Sequence, residues 1–176
     1  MTAPITVLGI DPGVSETGWA VLRGGEVPAL VESGLIRTLP SQPLPERLTI
    51  IHAAVAGLLA RHRPQAMAIE EMFFLKAANT IRGTLQARGV ILLAAAQTGC
   101  PISEYNPRSV KAAITGSGAA AKRQMQLIVS RALRLDDILR PDDVADAAAI
   151  ALCHLRAGRI KRLRVLEVHG AAGGAA

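Results

Sequence analysis

The first 36 residues of the chain alternate between hydrophobic runs and short turns. Apolar and small residues dominate positions 5–10, 18–22 and 27–36, and positions 23–25 read Arg-Gly-Gly between the second and third runs. Runs of this length that are rich in Ile, Val and Leu predict strands, and the glycines mark a turn. Connections this short favour antiparallel pairing, so we predict a three-strand meander.

After residue 40 the hydrophobic period changes to that of a helix. Leu48, Ile51, Val55 and Leu59 recur every three to four residues and predict the buried face of a helix over 45–63. A meander followed by alternating helices and strands predicts an α/β domain with a five-stranded mixed sheet flanked by helices. The remaining predicted elements are helices over 77–97, 122–135 and 142–156 and short strands over 66–70 and 102–105.

Composition favours one domain with an aliphatic core. Half of the 176 residues are hydrophobic but only four are aromatic, namely one Trp, one Tyr and two Phe. We assign residues 1–157 to the folded domain and residues 158–176, basic and then rich in Gly and Ala, to a tail that we expect to be flexible. There is no secretory signal pattern, the cysteines lack metal-type spacing, and the longest apolar run is too short for a bilayer. We therefore predict a cytoplasmic protein without a membrane partner.

Positive charge is concentrated in the middle of the chain. The net charge is +6, yet residues 72–135 hold nine Lys and Arg against one acid, which gives +8. The remaining residues hold eleven bases and thirteen acids, which gives −2. A one-sided basic region flanked by acidic clusters is typical of a polyanion-binding surface around a metal site. The alternative is a solvated surface without further function.

Carboxylates stand at the ends of two predicted strands. Asp11 closes the first strand inside a Gly-Ile-Asp-Pro-Gly segment, and Glu70 and Glu71 close the fourth. An ordinary Asp-Pro-Gly turn is the alternative explanation for Asp11. Because neighbouring residues of a strand point to opposite faces, spacing alone does not decide whether Glu70 or Glu71 faces a site.

The last predicted helix opens with three aspartates, Asp142, Asp143 and Asp146. Asp146 shares a helix face with Asp143 and equally with Asp142, so the spacing leaves both pairs open. Capping explains an acid in the first turn, but it explains Asp146, which lies among alanines, less well. Clustered carboxylates suit hard cations such as Mg²⁺ or Mn²⁺, and two such ions can clamp an in-line phosphoryl displacement. The residues therefore predict an acidic two-metal site that faces a nucleic acid.

Three motifs carry a resemblance to a known family. They read LGIDPG at 8–13, AIEEMF at 68–73 and DVADAAAIA at 143–151. With Val110, Lys111 and Lys122, they make the chain resemble the bacterial RuvC Holliday junction resolvases over roughly residues 5–154. The resemblance implies a ribonuclease-H-like fold and a homodimer. It also implies an endodeoxyribonuclease that uses two Mg²⁺ or Mn²⁺ ions to nick four-way DNA junctions symmetrically, in homologous recombination and DNA repair.

The resemblance also assigns roles to individual residues. It implies Asp11, Glu70, Asp143 and Asp146 as metal-binding catalytic acids, which favours Glu70 over Glu71 and Asp143 over Asp142. It places Lys111 and Lys122 near the scissile phosphate, with Lys122 neutralising charge in the transition state or simply contacting phosphate. Phe73 would stack on an unpaired base. With the other basic residues, the predicted DNA-binding set is Phe73, Lys76, Arg82, Lys111, Lys122 and Arg123.

Expected partners follow mainly from the same resemblance. The family dimerises through the region of the long helix over 77–97, where Gly83 and Ala87 stand one turn apart and would permit close helix approach. The branch-migration proteins RuvA and RuvB are implied as further partners. The preferred cleavage sequence, the choice between Mg²⁺ and Mn²⁺ and the role of the basic tail stay open.

Three other functions use a related fold. An actin-like or sugar-kinase-like ATP-binding protein has a similar glycine-rich first hairpin, but it requires two such domains and a second phosphate loop. A non-cleaving DNA-binding relative would not need the intact set of four acids. A general ribonuclease H acting on RNA–DNA hybrids is the third alternative.

Overall fold

A five-stranded mixed sheet lies at the centre of the molecule. The computed structural model describes residues 4–71 and 78–170, with side chains described except at 78–81 and 159–170. The spatial order of the strands is β3-β2-β1-β4-β5. In chain order the elements are β1 (Thr6–Asp11), β2 (Glu16–Arg23), β3 (Ala29–Arg37), α1 (Leu44–His62), β4 (Ala66–Glu70), α2 (Ala78–Gln97), β5 (Ile102–Tyr105), α3 (Pro107–Thr115), α4 (Lys122–Ala132) and α5 (Asp142–Gly170).

The pairing of the strands confirms the predicted meander and mixed sheet. Strands β1, β2 and β3 pair in antiparallel fashion, whereas β1 pairs with β4, and β4 with β5, in parallel. The parallel register sets Ile10 beside Ile69, so the following residues, Asp11 and Glu70, end adjacent strands at the same edge of the sheet. Ligand sites in α/β sheets lie outside these carboxyl ends.

The sheet is covered on both faces. On one face, Leu8, Ile10, Met67 and Ile69 of β1 and β4 pack in one apolar cluster with buried residues of α1 and α2. On the other face, Val7, Ala20, Leu22 and Ala68 pack with α3, α4 and the alanine-rich part of α5. Successive residues of a strand alternate between these two cores, as the pleat requires.

The turn between β1 and β2, residues 12–15, is tied to its surroundings by hydrogen bonds. The buried hydroxyls of Thr17 and Thr38 donate to main-chain carbonyls of the turn at 2.6 and 2.5 Å. The guanidinium of Arg47 donates to the hydroxyl of the turn serine at 2.8 Å. The segment that follows Asp11 is therefore anchored to β2, to the end of β3 and to α1.

Helix α3 was not predicted, although it carries Lys111. Asn106 caps it by accepting a hydrogen bond from the main-chain N–H of Arg108 at 2.9 Å, and Pro107 occupies the first turn. Only Val110 and Ile114 of this nine-residue helix are buried. Two apolar positions are too few to establish a helical period from the sequence.

Helix α5 is longer than predicted. It begins at Asp142 as expected but continues to Gly170, so the backbone of residues 158–170, which we assigned to the tail, is helical. The division of the chain at residue 157 stays a prediction. Arg156 of α5 donates to the carbonyl of Ala113 in α3 at 2.8 Å. None of the helices in the described part of the chain is long and apolar enough to cross a membrane.

The small residues of α2 serve the chain's own core. A Cβ atom on Gly83 would stand 2.9 Å from Cγ1 of Val14, in the turn after β1, and Ala87 is fully buried in the α1–α2 core. Our interpretation of Gly83 and Ala87 as a close-approach surface for a second helix of a dimer was therefore wrong. The absence of a side chain at Gly83 lets α2 approach the β1–β2 turn, and Ala87 packs in the core instead.

Candidate active site

The structure brings the carboxyl groups of Asp11 and Glu70 into contact. Across the ends of β1 and β4, each of the two side chains affects the pKa of the other. Glu71, by contrast, continues the strand ladder through its main-chain N–H, which donates to the carbonyl of Tyr105 at 2.9 Å. Of the two adjacent glutamates, Glu70 is therefore the one that meets Asp11.

Helix α5 adds Asp143 and Asp146 to this edge because glycines let it approach the sheet closely. A Cβ atom on Gly18 would lie 2.1 Å from the carbonyl oxygen of Asp143, and one on Gly9 would lie 2.1 Å from that of Ala147. No side chain larger than hydrogen fits at either position without displacing the helix. The close approach brings the charges of Asp143 and Asp146 near enough to act on Asp11.

The pKa values reflect how these acids are buried together. Burial, followed by the charge of Glu70, the hydrogen bond with Glu70 and the charges of Asp146 and Asp143, raises the pKa of Asp11 to about 9. Burial is also the main cause that raises the pKa of Glu70 and the pKa of Asp146. A positive charge placed among the carboxylates would reverse these shifts, which is how metal sites hold ionised ligands.

One buried oxygen of the cluster has no partner among the described residues. It is Oδ1 of Asp146, whereas Oδ2 of the same side chain contacts Lys122. A buried carboxylate oxygen without a partner is costly, and a hard cation would satisfy it. Within the described residues, no three acidic, His or Cys side chains already form a metal-binding group. The donor set thus fits a hard cation, and binding would draw the carboxylates together.

Lys122 stands at the rim of the cluster, in the first turn of α4. Its Nζ atom lies 3.3 Å from Oδ2 of Asp146 and 3.2 Å from Oδ2 of Asp142. Partial burial acts to lower the pKa of Lys122, but Asp146 and Asp142 together raise it. Lys122 is therefore held in its charged form beside the acids.

A cavity of about 230 Å³ opens beside the acids. It joins two of the predicted acids to both of the predicted lysines, and apolar side chains of α3, α4 and α5 complete its wall. A phosphate group that entered it would meet the lysines and carboxylates together. Its lining residues are Glu70, Pro107, Val110, Lys111, Lys122, Met125, Asp146 and Ile150.

Two further members of the predicted DNA-binding set lie within the described residues. Arg82 is exposed in the first turns of α2, and Arg123 is exposed in the first turn of α4. Neither of them lines the cavity. Phe73 and Lys76 lie outside the described residues, so their predicted roles stay predictions.

One residue that supports the site was not predicted from the sequence. Arg88 of α2 donates from Nε to the carbonyl oxygen of Glu70 at 3.4 Å and forms an ion pair with Glu104 of β5. Its side chain is only 15% exposed. Arg88 therefore fixes the end of β4 against β5. The sequence did offer one signal for Arg88. It shares a helical face with the apolar residues Ile91 and Ala95, where a basic residue is unexpected.

Comparison with known proteins identifies the family. Residues 7–154 match the family model described as crossover junction endodeoxyribonuclease RuvC. A curated protein of that name from Endomicrobium trichonymphae is 46% identical over 151 residues, which cover 85% of this chain and 80% of the relative. A Thermus thermophilus RuvC, solved in complex with Holliday junction substrate, superposes with a TM-score of 0.85 at 38% identity, over 89% of this chain and 96% of that one.

A more distant structure supports the fold alone. The yeast mitochondrial Holliday junction resolvase Ydc2 superposes with a TM-score of 0.64 at 13% identity, over 89% of this chain and 80% of that one. The predicted ribonuclease-H-like α/β fold is thus confirmed. The family match favours a nuclease over the ATP-binding and non-cleaving alternatives. The chain belongs to the RuvC family of crossover junction endodeoxyribonucleases.

Proposed function

We propose that this protein resolves four-way DNA junctions by paired, symmetric nicks through two-metal-ion hydrolysis of phosphodiester bonds. The observation that carries the proposal is the buried, unpartnered Oδ1 of Asp146, because it lies among carboxyl groups beside a cavity lined by Lys111 and Lys122. A bound cation would stabilise a buried anionic oxygen that has no partner, and a cavity lined by lysines attracts a phosphate group.

The substrate is proposed from the relatives. The related Thermus thermophilus protein was solved with Holliday junction substrate, and we extend that substrate to this chain because the match covers most of both proteins. Resolution in homologous recombination and DNA repair follows as the biological role.

The metal ligands are proposed as Asp11, Glu70, Asp143 and Asp146. RuvC-type nucleases depend on metal, and we propose Mg²⁺ or Mn²⁺ because all four donors are carboxylates. When bound, a pair of such ions supplies a nucleophilic water and stabilises the leaving oxygen. The protein contributes the geometry, since Asp11 and Glu70 end adjacent strands and α5 sets its two aspartates against them.

The lysines act on the phosphate. Lys122, which contacts Asp146, would offset the charge that builds on the reacting phosphate, and Lys111, which lines the same cavity, would bind the DNA strand. Phe73 would stack on an unpaired base, and Lys76, Arg82 and Arg123 would contact the backbone farther out.

A four-way junction has two-fold symmetry, so paired nicks require two equivalent active sites. We therefore propose a homodimer that works in the cytoplasm. The branch-migration proteins RuvA and RuvB are proposed as its partners.

The test is a cleavage assay that uses two adjacent residues as a matched pair. The protein is incubated with Mg²⁺ or Mn²⁺ and synthetic four-way junctions, linear duplexes or RNA–DNA hybrids. We expect paired nicks in the junction alone. Glu70→Gln should abolish them and Glu71→Gln should not, although both remove the same charge. Hydrolysis of ATP without nicking, or equal loss in the two variants, would contradict the proposal.

A further inference from the structure

Lys122 is held by two carboxylates that differ in their other contacts. Asp146 uses only Oδ2 for the lysine and keeps its buried Oδ1 free. Asp142 is exposed, and its two oxygens are both engaged by α4, because Oδ2 contacts Lys122 and Oδ1 accepts a hydrogen bond from Gln126 at 2.8 Å. Asp146 can therefore bind a cation and Lys122 together, whereas both oxygens of Asp142 already have a partner on α4.

The contacts of Asp142 join the first turn of α5 to one face of α4. Lys122 and Gln126 are four residues apart, so they lie on the same side of α4 and reach one carboxylate together. The Lys122 side chain is 51% exposed, and a lysine with such freedom samples many rotamers unless something fixes it. Asp142, itself oriented by Gln126, supplies that restraint.

We propose that Asp142 and Gln126 are positioning residues that hold the Lys122 ammonium beside Asp146, at the edge of the acid cluster. The inference rests on the proposed function of Lys122 at the scissile phosphate. Asp142 is then neither a metal ligand nor a simple helix cap. It keeps the lysine in place when a cation takes over part of the charge of Asp146.

A positioning role and a purely electrostatic role of Asp142 predict different effects on cleavage, although neither predicts weaker DNA binding. Replacing Asp142 by alanine takes away one negative charge beside the DNA, so junction binding should stay equal or become tighter. Cleavage should nevertheless slow, because a displaced ammonium no longer meets the developing charge. A carboxylate that merely repels DNA would give tighter binding with unchanged or faster cleavage.

The experiment compares variants of the full-length chain on a synthetic four-way junction. Single-turnover cleavage with Mg²⁺ should fall roughly ten- to a hundredfold in Asp142→Ala, while junction affinity in EDTA stays equal or rises. Asp142→Asn removes the same charge but keeps the shape and an acceptor oxygen, so it should cleave faster than Asp142→Ala. Gln126→Leu, which changes no charge, should lose a smaller part of the rate. Asp136→Ala, at another exposed acid, is the control and should cleave normally.

A double-mutant cycle completes the test. In a Lys122→Gln background, Asp142→Ala should cause no further loss, because the residue acts through the lysine. Normal cleavage by Asp142→Ala and Gln126→Leu, or full additivity with Lys122→Gln, would overturn the inference. A higher Mg²⁺ requirement in Asp142→Ala would overturn it as well, since that result makes Asp142 a ligand. Absence of cleavage by both the unmodified protein and Asp136→Ala would instead refute the proposed function.

Discussion

The two faces of the sheet are covered in different ways. Helix α1 packs on one face through large aliphatic side chains such as Ile51 and Val55, and α2 adds Ile91 beside three buried alanines. Helix α5 packs on the other face mainly through alanines, against Gly9 and Gly18 of the strands. Bulky side chains keep a helix at the usual distance, whereas glycine and alanine let its backbone approach the sheet. Only the second arrangement allows carboxylates of a helix to reach those at the strand ends.

One face of the sheet mainly stabilises the fold, and the other mainly positions the acids. The aliphatic face contributes burial, which is roughly proportional to the apolar area removed from water. The alanine face gives up part of that burial but gains a fixed position for Asp143 and Asp146. Mutations on the two faces should therefore fail in different ways.

The largest effect is expected from the acid that ends β1. Asp11→Asn should reduce junction cleavage by at least about a thousandfold, on the scale seen when single catalytic groups are removed. Binding should persist, because the lysines that contact phosphate are untouched. Gel-shift and cleavage assays on the same junction measure both quantities. Loss of binding together with cleavage would instead make Asp11 a structural residue.

Increasing the distance between α5 and the sheet should lower both the stability of the fold and the rate of cleavage. A Cβ on Gly18 would lie 2.1 Å from the carbonyl oxygen of Asp143, so Gly18→Ala must push the start of α5 away. We expect a cost of about 3 kcal/mol in the free energy of unfolding. Cleavage by the folded protein should fall roughly a hundredfold, since small displacements of catalytic groups are costly. Denaturant unfolding and single-turnover cleavage measure the two effects, and unchanged cleavage would contradict the role of the close approach.

A cavity on the aliphatic face should affect stability alone. Ile91 is fully buried between α2 and the sheet, so Ile91→Ala should cost about 2–5 kcal/mol in the free energy of unfolding. Cleavage per folded molecule should stay close to normal below the unfolding transition. If cleavage falls as steeply as in Gly18→Ala, the two faces do not differ as we describe.

The acids should make the metal-free protein less stable as the pH rises. Asp11 has a folded-state pKa of about 9 against an ordinary value of 3.8, so between these values the folded state binds more protons than the unfolded state. The free energy of unfolding should therefore fall from about pH 4 to pH 9. Asp11→Asn should flatten this dependence, and Mg²⁺ at pH 8 should raise the melting temperature of the unmodified protein. Thermal unfolding in EDTA and in Mg²⁺ measures both, and stability that rises over this range would contradict the assignment.

The smallest effect is expected where a helix of the aliphatic face meets solvent. Gly57 of α1 is exposed, and a Cβ atom there would have no neighbour within 4 Å. Gly57→Ala should raise the free energy of unfolding by about 0.5–1 kcal/mol through helix propensity, without changing cleavage. It also controls for the addition of a methyl group in Gly18→Ala. A loss of stability at position 57 would show that α1 does not tolerate this change.

The elements that were predicted correctly are those whose signal lies in residues that are neighbours in the sequence. The strand ends at Asp11 and Glu70 follow from apolar runs that stop at a carboxylate, and a mixed sheet follows from the α/β alternation. Helix α3 escaped prediction because only Val110 and Ile114 are buried, and its start depends on the Asn106 cap. The contact of Arg88 with the end of β4 joins elements that are separate in sequence, so no local pattern specifies it.

The choice between Asp142 and Asp143 shows where such reasoning stops. Both lie in the first turn of α5, and both share a face with Asp146. The rotation of α5 about its axis separates them, because it directs Asp142 towards Lys122 and sets the backbone of Asp143 against Gly18. Tertiary contacts with the strands determine that rotation. The family resemblance supplied the distinction that the spacing did not.

Helix α5 connects two of the acids to the two helices that carry the lysines of the site. It carries Asp143 and Asp146, and its Asp142 holds Lys122. Its Arg156 forms a hydrogen bond with the end of α3, the helix that carries Lys111. A small tilt of α5 would carry Asp143, Asp146 and the two lysine-bearing helices in the same direction, whereas Asp11 and Glu70 would stay with the sheet. Substitutions that shift α5 therefore change mainly the distances between the two pairs of acids, and the contacts of Lys122 with α5 change less. The site thus consists of one half fixed to the sheet and one half fixed to α5.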